Sequence, residues 1–140
     1  MEESDSIKLF TPDEANQLLP RLSALIQTLQ NKREVILSRE VEIDALEMVV
    51  EKNAEGESSL LNQKVAEYQL EVRSFYDLVD EIQGLGCLLK DVSLGLVDFY
   101  SEYQGRMVYL CWKLGDPEVG HWHEIGSGYA FRQPILKEHS

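Results

Sequence analysis

The stretch Ile43-Asp44-Ala45-Leu46-Glu47-Met48-Val49-Val50-Glu51-Lys52-Asn53-Ala54-Glu55-Gly56-Glu57-Ser58-Ser59-Leu60-Leu61-Asn62-Gln63-Lys64-Val65 decides the fold. Its ends carry apolar residues at alternating spacings of three and four, and its middle is polar and holds a glycine. Working outward toward the N-terminus, the seam runs Val50, Leu46, Ile43, Ile36, Leu29, Leu25, Leu22, Leu18 and Ala15, with Arg39 and Lys32 as polar entries. Toward the C-terminus it runs Leu61, Val65, Tyr68, Val72, Phe75, Val79 and Ile82, and Gly84 and Gly86 end it. With the chain folded back about the loop, facing residues have numbers that sum to 111, from Val50 with Leu61 to Leu29 with Ile82. Two seams in matching register predict an antiparallel helical hairpin, coiled-coil-like in its spacing.

Thr11-Pro12-Asp13-Glu14 starts the first arm: Thr11 can cap, Pro12 suits the first helical position and Glu14 completes a capping box. Pro20 lacks a backbone donor and is expected to kink or loosen the first turns. The arms span about 12–52 and 58–83, and at 1.5 Å per residue they are about 60 and 38 Å long. Leu18, Leu19, Leu22, Leu25 and Ile26 therefore lack a partner from the second arm. They must bury against a C-terminal module or against another copy of the chain. Lys32 and Arg39 are expected to reach out of the seam to Glu71, Asp77 or Asp80 and fix its register.

After Gly86 the helical period is lost. Leu96-Val97-Asp98-Phe99-Tyr100 and Met107-Val108-Tyr109-Leu110-Cys111-Trp112 read as strands, with the turn in Ser101 to Arg106. Gly115-Asp116-Pro117-Glu118 reads as another turn, and Val119 to Ile125 as a third strand. The fold class is thus α+β. A helical hairpin spans 1–86, and a small antiparallel β-meander with an irregular tail spans 87–140 and packs at the hairpin's base, on the stretch near Leu18 to Ile26.

Charge narrows the function classes. The 140 residues carry 25 acids and 13 bases, a net charge of -12, which opposes direct binding to nucleic acid or to an anionic membrane surface. No run approaches the roughly 20 apolar residues of a membrane helix, and the acidic N-terminus is unlike a signal peptide. Two cysteines form no disulfide framework, so a cytoplasmic setting is expected.

Several separate motifs together resemble the prokaryotic "domain of unknown function 2203" family. They are Phe10-Thr11-Pro12-Asp13-Glu14-Ala15-Asn16 with Leu18-Leu19-Pro20, then Lys90-Asp91 with Gly95-Leu96-Val97-Asp98-Phe99. Gly105-Arg106, Val108 to Gly115, Trp122-His123-Glu124 and Arg132-Gln133-Pro134-Ile135 complete the set. The resemblance spans nearly the whole chain. That family is uncharacterised, so the resemblance implies no activity.

The most reactive stretch is His121-Trp122-His123-Glu124. On a strand, His121 and His123 share a face and can offer two nitrogens to a transition metal. Asp98 is the expected third ligand, with Glu124 and Cys111 as alternatives. The commoner reading of such a pair is that Trp122 fills the core and the histidines are ordinary. Cys87 and Cys111 read as buried structural thiols. Arg106, Lys113 and Arg132 are candidate anion-binding residues, with ion pairs inside the module as the plainer alternative. No nucleophile motif or phosphate-cradling loop is present, which argues against catalysis.

The tip, residues 40–57, is acidic through Glu40, Glu42, Asp44, Glu47, Glu51, Glu55 and Glu57. A charge run of this kind is most often a solvated face. Its functional counterpart is docking on a basic protein surface, with Asp44, Glu47, Glu51, Glu55 and Glu57 as partner-binding residues. The expectation is a non-catalytic interaction or adaptor protein with no cofactor, an unidentified basic protein partner and possible homodimerisation through Leu18, Leu22 and Leu25. The contrary expectation is a small metal- or ligand-binding protein or hydrolase centred on His121 and His123.

Overall fold

The computed structural model describes residues 7–52 and 56–136. In chain order it has α1 (Pro12–Gln17), α2 (Leu19–Lys52), α3 (Gly56–Gly84), β1 (Leu88–Asp91), β2 (Leu96–Tyr103) and β3 (Arg106–Lys113). β4 (His121–Glu124), a 3₁₀ turn (Tyr129–Phe131) and β5 (Gln133–Pro134) follow. Long helices with an antiparallel sheet of five strands make the chain α+β. Among the described residues no helix is long and apolar enough to cross a membrane. Sequence texture changes at Gly86, but packing divides the chain inside the helices. One compact unit is Thr28–Asp80, and the other joins Met1–Gln27 to Glu81–Ser140.

In the unit Thr28–Asp80, the seam positions Leu29, Lys32, Ile36, Arg39, Ile43, Leu46 and Val50 of α2 are buried or half-buried. So are Leu61, Val65, Tyr68, Val72, Phe75 and Val79 of α3. Lys32 Nζ lies 3.3 Å from Glu71, Arg39 Nη1 3.5 Å from Glu67, and Lys64 Nζ 3.3 Å from Glu42. The Tyr68 hydroxyl donates to Glu40 at 2.7 Å. Partner numbers fall on α3 as they rise on α2, so the helices run antiparallel. Lys32 reaches Glu71 as expected, whereas Arg39 bonds Glu67.

The register differs from the one the sequence suggests. Each bonded partner on α3 lies three to eight positions nearer the loop than a sum of 111 requires. Ile43 lines one recess with both Val65 and Tyr68. α3 begins at Gly56, two positions before the expected start at Ser58, which moves the turning point toward the N-terminus in the same direction as the bonds. The expected loop centre, Asn53-Ala54-Glu55, lies outside the described residues.

The other unit begins with the expected capping box. The Thr11 hydroxyl accepts from Glu14 N at 3.1 Å, and Glu14 Oε1 accepts from Thr11 N at 3.0 Å. Pro20 breaks the helix outright. α1 stops at Gln17, Leu18 caps it, and Pro20 falls in the first turn of α2, where no backbone donor is needed.

The sheet order is β1-β2-β3-β4-β5 with antiparallel neighbours, a meander as expected but with β1 and β5 added to the three strands foreseen. β2 and β3 turn through Gln104 and Gly105 alone, at φ 54° and 80°. Two successive left-handed residues match the twist of a hairpin, so the strands extend further than expected at both ends of the turn.

Register assigns the strand residues to two faces. Val97, Phe99, Leu110 and Trp112 share one face and are all buried. Phe10 packs edge-on against Phe99 with ring centroids 5.1 Å apart, and Leu19 lines a cleft with Trp112. A Cβ on Gly95 would lie 3.4 Å from Ile26 Cγ2. Leu19, Leu22 and Ile26 are buried at helical spacing. The start of the long helix is thus covered by the sheet of its own chain, as the first of the two expectations had it. Leu22 has no accessible surface left for another copy.

Candidate functional site

The opposite face of the sheet carries polar chemistry. Asp98 on β2 pairs with Cys111 on β3, and Cys111 pairs with His121 on β4. One step along, Tyr100 pairs with Tyr109 and Tyr109 with His123. Period-two alternation therefore sets Asp98, Cys111, His121, His123 and Tyr109 on one side. Asp98 is 3% exposed, His123 2% and Cys111 0%, an unusual depth for a carboxylate and an imidazole.

His123 Nε2 lies 3.3 Å from Asp98 Oδ1 and 3.2 Å from Oδ2. Its Nδ1 lies 2.9 Å from the Glu124 carbonyl oxygen. A carbonyl oxygen only accepts, so Nδ1 carries the hydrogen and donates it. Nε2 is therefore the ring nitrogen that faces the carboxylate oxygens. Lys90 Nζ sits 3.9 Å from Asp98 Oδ2 and 4.8 Å from the centroid of the Tyr109 ring.

Burial is the largest influence on Asp98 and pushes its carboxyl up. His123 first, then Lys90 and Cys111, pull the other way. Burial, followed by the charge of Asp98, pushes the Cys111 thiol up to about 12. Cys111 is then a neutral thiol at physiological pH and no ready nucleophile. The ligand atoms of Asp98, Cys111 and His123 all lie within 4.8 Å of one another, close enough to serve one ion.

Asp98 and His123 are brought together with Cys111. His121 shares their face, directly across from Cys111, but is only half-buried and stands outside the close cluster. Glu124 belongs to the other face and binds Arg106, whose Nε donates to it at 3.1 Å. That pair, foreseen as the plain alternative, holds the Glu124 carboxyl below and the Arg106 guanidinium above their ordinary ranges.

Lys113 and Arg132 gather on Tyr129, at 6.0 and 4.2 Å from its ring. Arg132 also lies 3.8 Å from Asp116, and its Nη1 is buried without a hydrogen bond. Arg106 stands apart from both. Asp44 and Glu47 are exposed on α2, while the side chains of Glu51, Glu55 and Glu57 lie outside the described residues. Cys87 is buried, its thiol donates to the Ile82 carbonyl at 3.3 Å, and burial pushes it up to about 11.

Lys90 and Tyr109 are members of the cluster that the sequence reading did not single out. Lys90 arrives by way of β1, a strand of four residues with no alternation of its own. Asp98, a lone carboxylate between Val97 and Phe99, was the available signal that a partner must face it.

A family model described as "Uncharacterized conserved protein (DUF2203)" matches residues 8–135. No curated protein and no solved structure matches the chain.

Proposed function

We propose that this chain, which belongs to the DUF2203 family of uncharacterised conserved proteins, is a non-catalytic interaction protein. In this reading it acts in the cytoplasm and docks through its coiled-coil-like helical unit on a basic, amphipathic surface of another protein. The observation that carries the reading is an apolar stripe left in the open on α2. Val41 is 70% exposed and Met48 67%, and Leu37 is exposed beside them. At 100° per residue these three fall within about 40° of one line along the helix. The exposed acids Glu40, Asp44 and Glu47 flank or interrupt the stripe. Apolar side chains set among carboxylates suit a partner helix that carries leucines on one side and lysines around them. A net charge of -12 makes a second copy of this chain a poor occupant of the same surface. The two free thiols, Cys87 and Cys111, accord with a reducing compartment.

Binding of a labelled amphipathic peptide of leucine and lysine to the full chain tests the reading. Burying a Val or Met side chain is worth about 1.5–3 kcal/mol, so Val41→Asn with Met48→Gln is expected to weaken binding by about tenfold or more. Asp44→Lys with Glu47→Lys is expected to slow association and flatten its salt dependence, while His123→Ala leaves binding intact. Binding that ignores the Val41 and Met48 substitutions overturns the proposal.

A further inference from the structure

We infer that Asp98, Cys111 and His123 form a binding site for one zinc-class divalent transition metal, independent of any docking by the helices. Three features of the cluster converge. The donors are an oxygen, a sulfur and a nitrogen on three adjacent strands, all within 4.8 Å of one another. Tetrahedral ligands at bond lengths of about 2.0–2.3 Å stand roughly 3.3–3.8 Å apart, and the His123 nitrogen already lies 3.2 Å from Asp98 Oδ2. Next, the imidazole is oriented as a ligand. Nδ1 is spent on the Glu124 carbonyl, which fixes the tautomer and leaves Nε2 facing the other two donors. A backbone carbonyl on the far nitrogen is the usual outer support of a metal-bound histidine.

The third feature is depth. A carboxylate and an imidazole at 3% and 2% exposure are costly to bury, and a divalent cation between them offsets that cost. Sulfur and nitrogen donors select zinc, cobalt or copper and disfavour magnesium and calcium, which take oxygen shells. His121 lies on the same face directly across from Cys111 but outside the close cluster, so the three donors leave a fourth position open to water or to a reoriented His121. Lys90, 3.9 Å from Asp98, must swing away, and its side chain is 40% exposed on a flexible stem. Binding replaces the thiol proton of Cys111, so proton release accompanies metal uptake.

Cobalt(II) titrated into the untagged, chelator-stripped full chain is the direct test, followed by zinc competition. The expected result is one cobalt per chain, with tetrahedral visible bands and a sulfur-to-cobalt charge-transfer band in the near ultraviolet, both erased by zinc. Cys111→Ser is expected to lose the charge-transfer band. Asp98→Asn and His123→Ala are expected to weaken zinc by about 100-fold or more, and His121→Ala by less. Zinc added to an unbuffered solution is expected to lower its pH in proportion. If folded wild-type protein gives no cobalt spectrum and no zinc uptake, the site does not exist. Uptake that survives both Cys111→Ser and His123→Ala unchanged places the metal elsewhere and equally overturns the inference. The wild-type titration decides the matter even if a variant fails to fold.

Discussion

Gly95 is a single position where the structure forces the residue type. It sits at φ +68° between β1 and β2, and a Cβ built there would lie 2.5 Å from Leu114 Cβ. Leu114 cannot simply step aside, since its N–H donates to the Gly95 carbonyl at 2.9 Å and its Cβ is bound to that same backbone. Holding an L-residue in the left-handed region costs about 1–2 kcal/mol, and overpacking a filled site adds about 1–3 kcal/mol. Gly95→Ala is therefore expected to lose about 2–5 kcal/mol. At roughly 2.1 cal/mol/K per residue, a chain of this length loses about 3 °C in Tm per kcal/mol, or about 7–17 °C here. Gly105→Ala is the matched control: its φ is +80°, but nothing stands within 4 Å of the added carbon, so only the backbone term applies, about 3–7 °C. Thermal unfolding followed by tryptophan fluorescence reads the right part of the molecule, because Trp112 and Trp122 belong to the same compact unit as Gly95. Equal losses in the two variants would refute the close approach of Gly95 to Leu114.

Two further outcomes are expected. Thr11→Ala removes the acceptor for Glu14 N and is expected to cost about 1 kcal/mol, with Thr11→Ser close to wild type; urea midpoints that do not separate the two variants would remove the capping box from the account. The Cys87 thiol, at about 11 in the folded protein against an ordinary value of 9.0, stays protonated between those pH values while the unfolded chain has released its proton. Stability is therefore expected to fall as pH rises from 9 to 11, by up to about 2–3 kcal/mol, and the slope to lessen in Cys87→Ala. Identical slopes in urea titrations of the two proteins would show that burial does not hold the thiol up.

Much of the fold was legible because it depends on near neighbours in the chain. The capping box is written in Thr11 to Glu14, the helical seams in spacings of three and four, and the strands β2 and β3 in runs of Val, Phe, Tyr, Leu and Trp. β1 and β5 were not legible. A strand as short as Gln133–Pro134 has no pattern of its own and exists because β4 offers it an edge. The hairpin register was half legible: the seams predicted opposition, yet side-chain bonds between the helices fall three to eight positions nearer the loop than the expected sum requires, because the same apolar periodicity is compatible with more than one layer alignment.

The candidate site divides in the same way. The sequence by itself determined that His121 and His123 would share a face, because a strand alternates with period two wherever it lies. It also supplied Asp98 as a carboxylate stranded among apolar neighbours. Only the tertiary structure decided that His123 rather than His121 meets Asp98, that Cys111 stands between the strands that carry them, and that Lys90 reaches in from β1. Those facts follow from the pairing of four strands, in which a shift of one residue between β2 and β3 or between β3 and β4 would have turned donors to opposite faces. Tertiary structure likewise settled where Leu22 and Ile26 bury their surface. An amphipathic helix announces that it needs a partner, but the identity of that partner depends on which apolar face the rest of the chain brings to it.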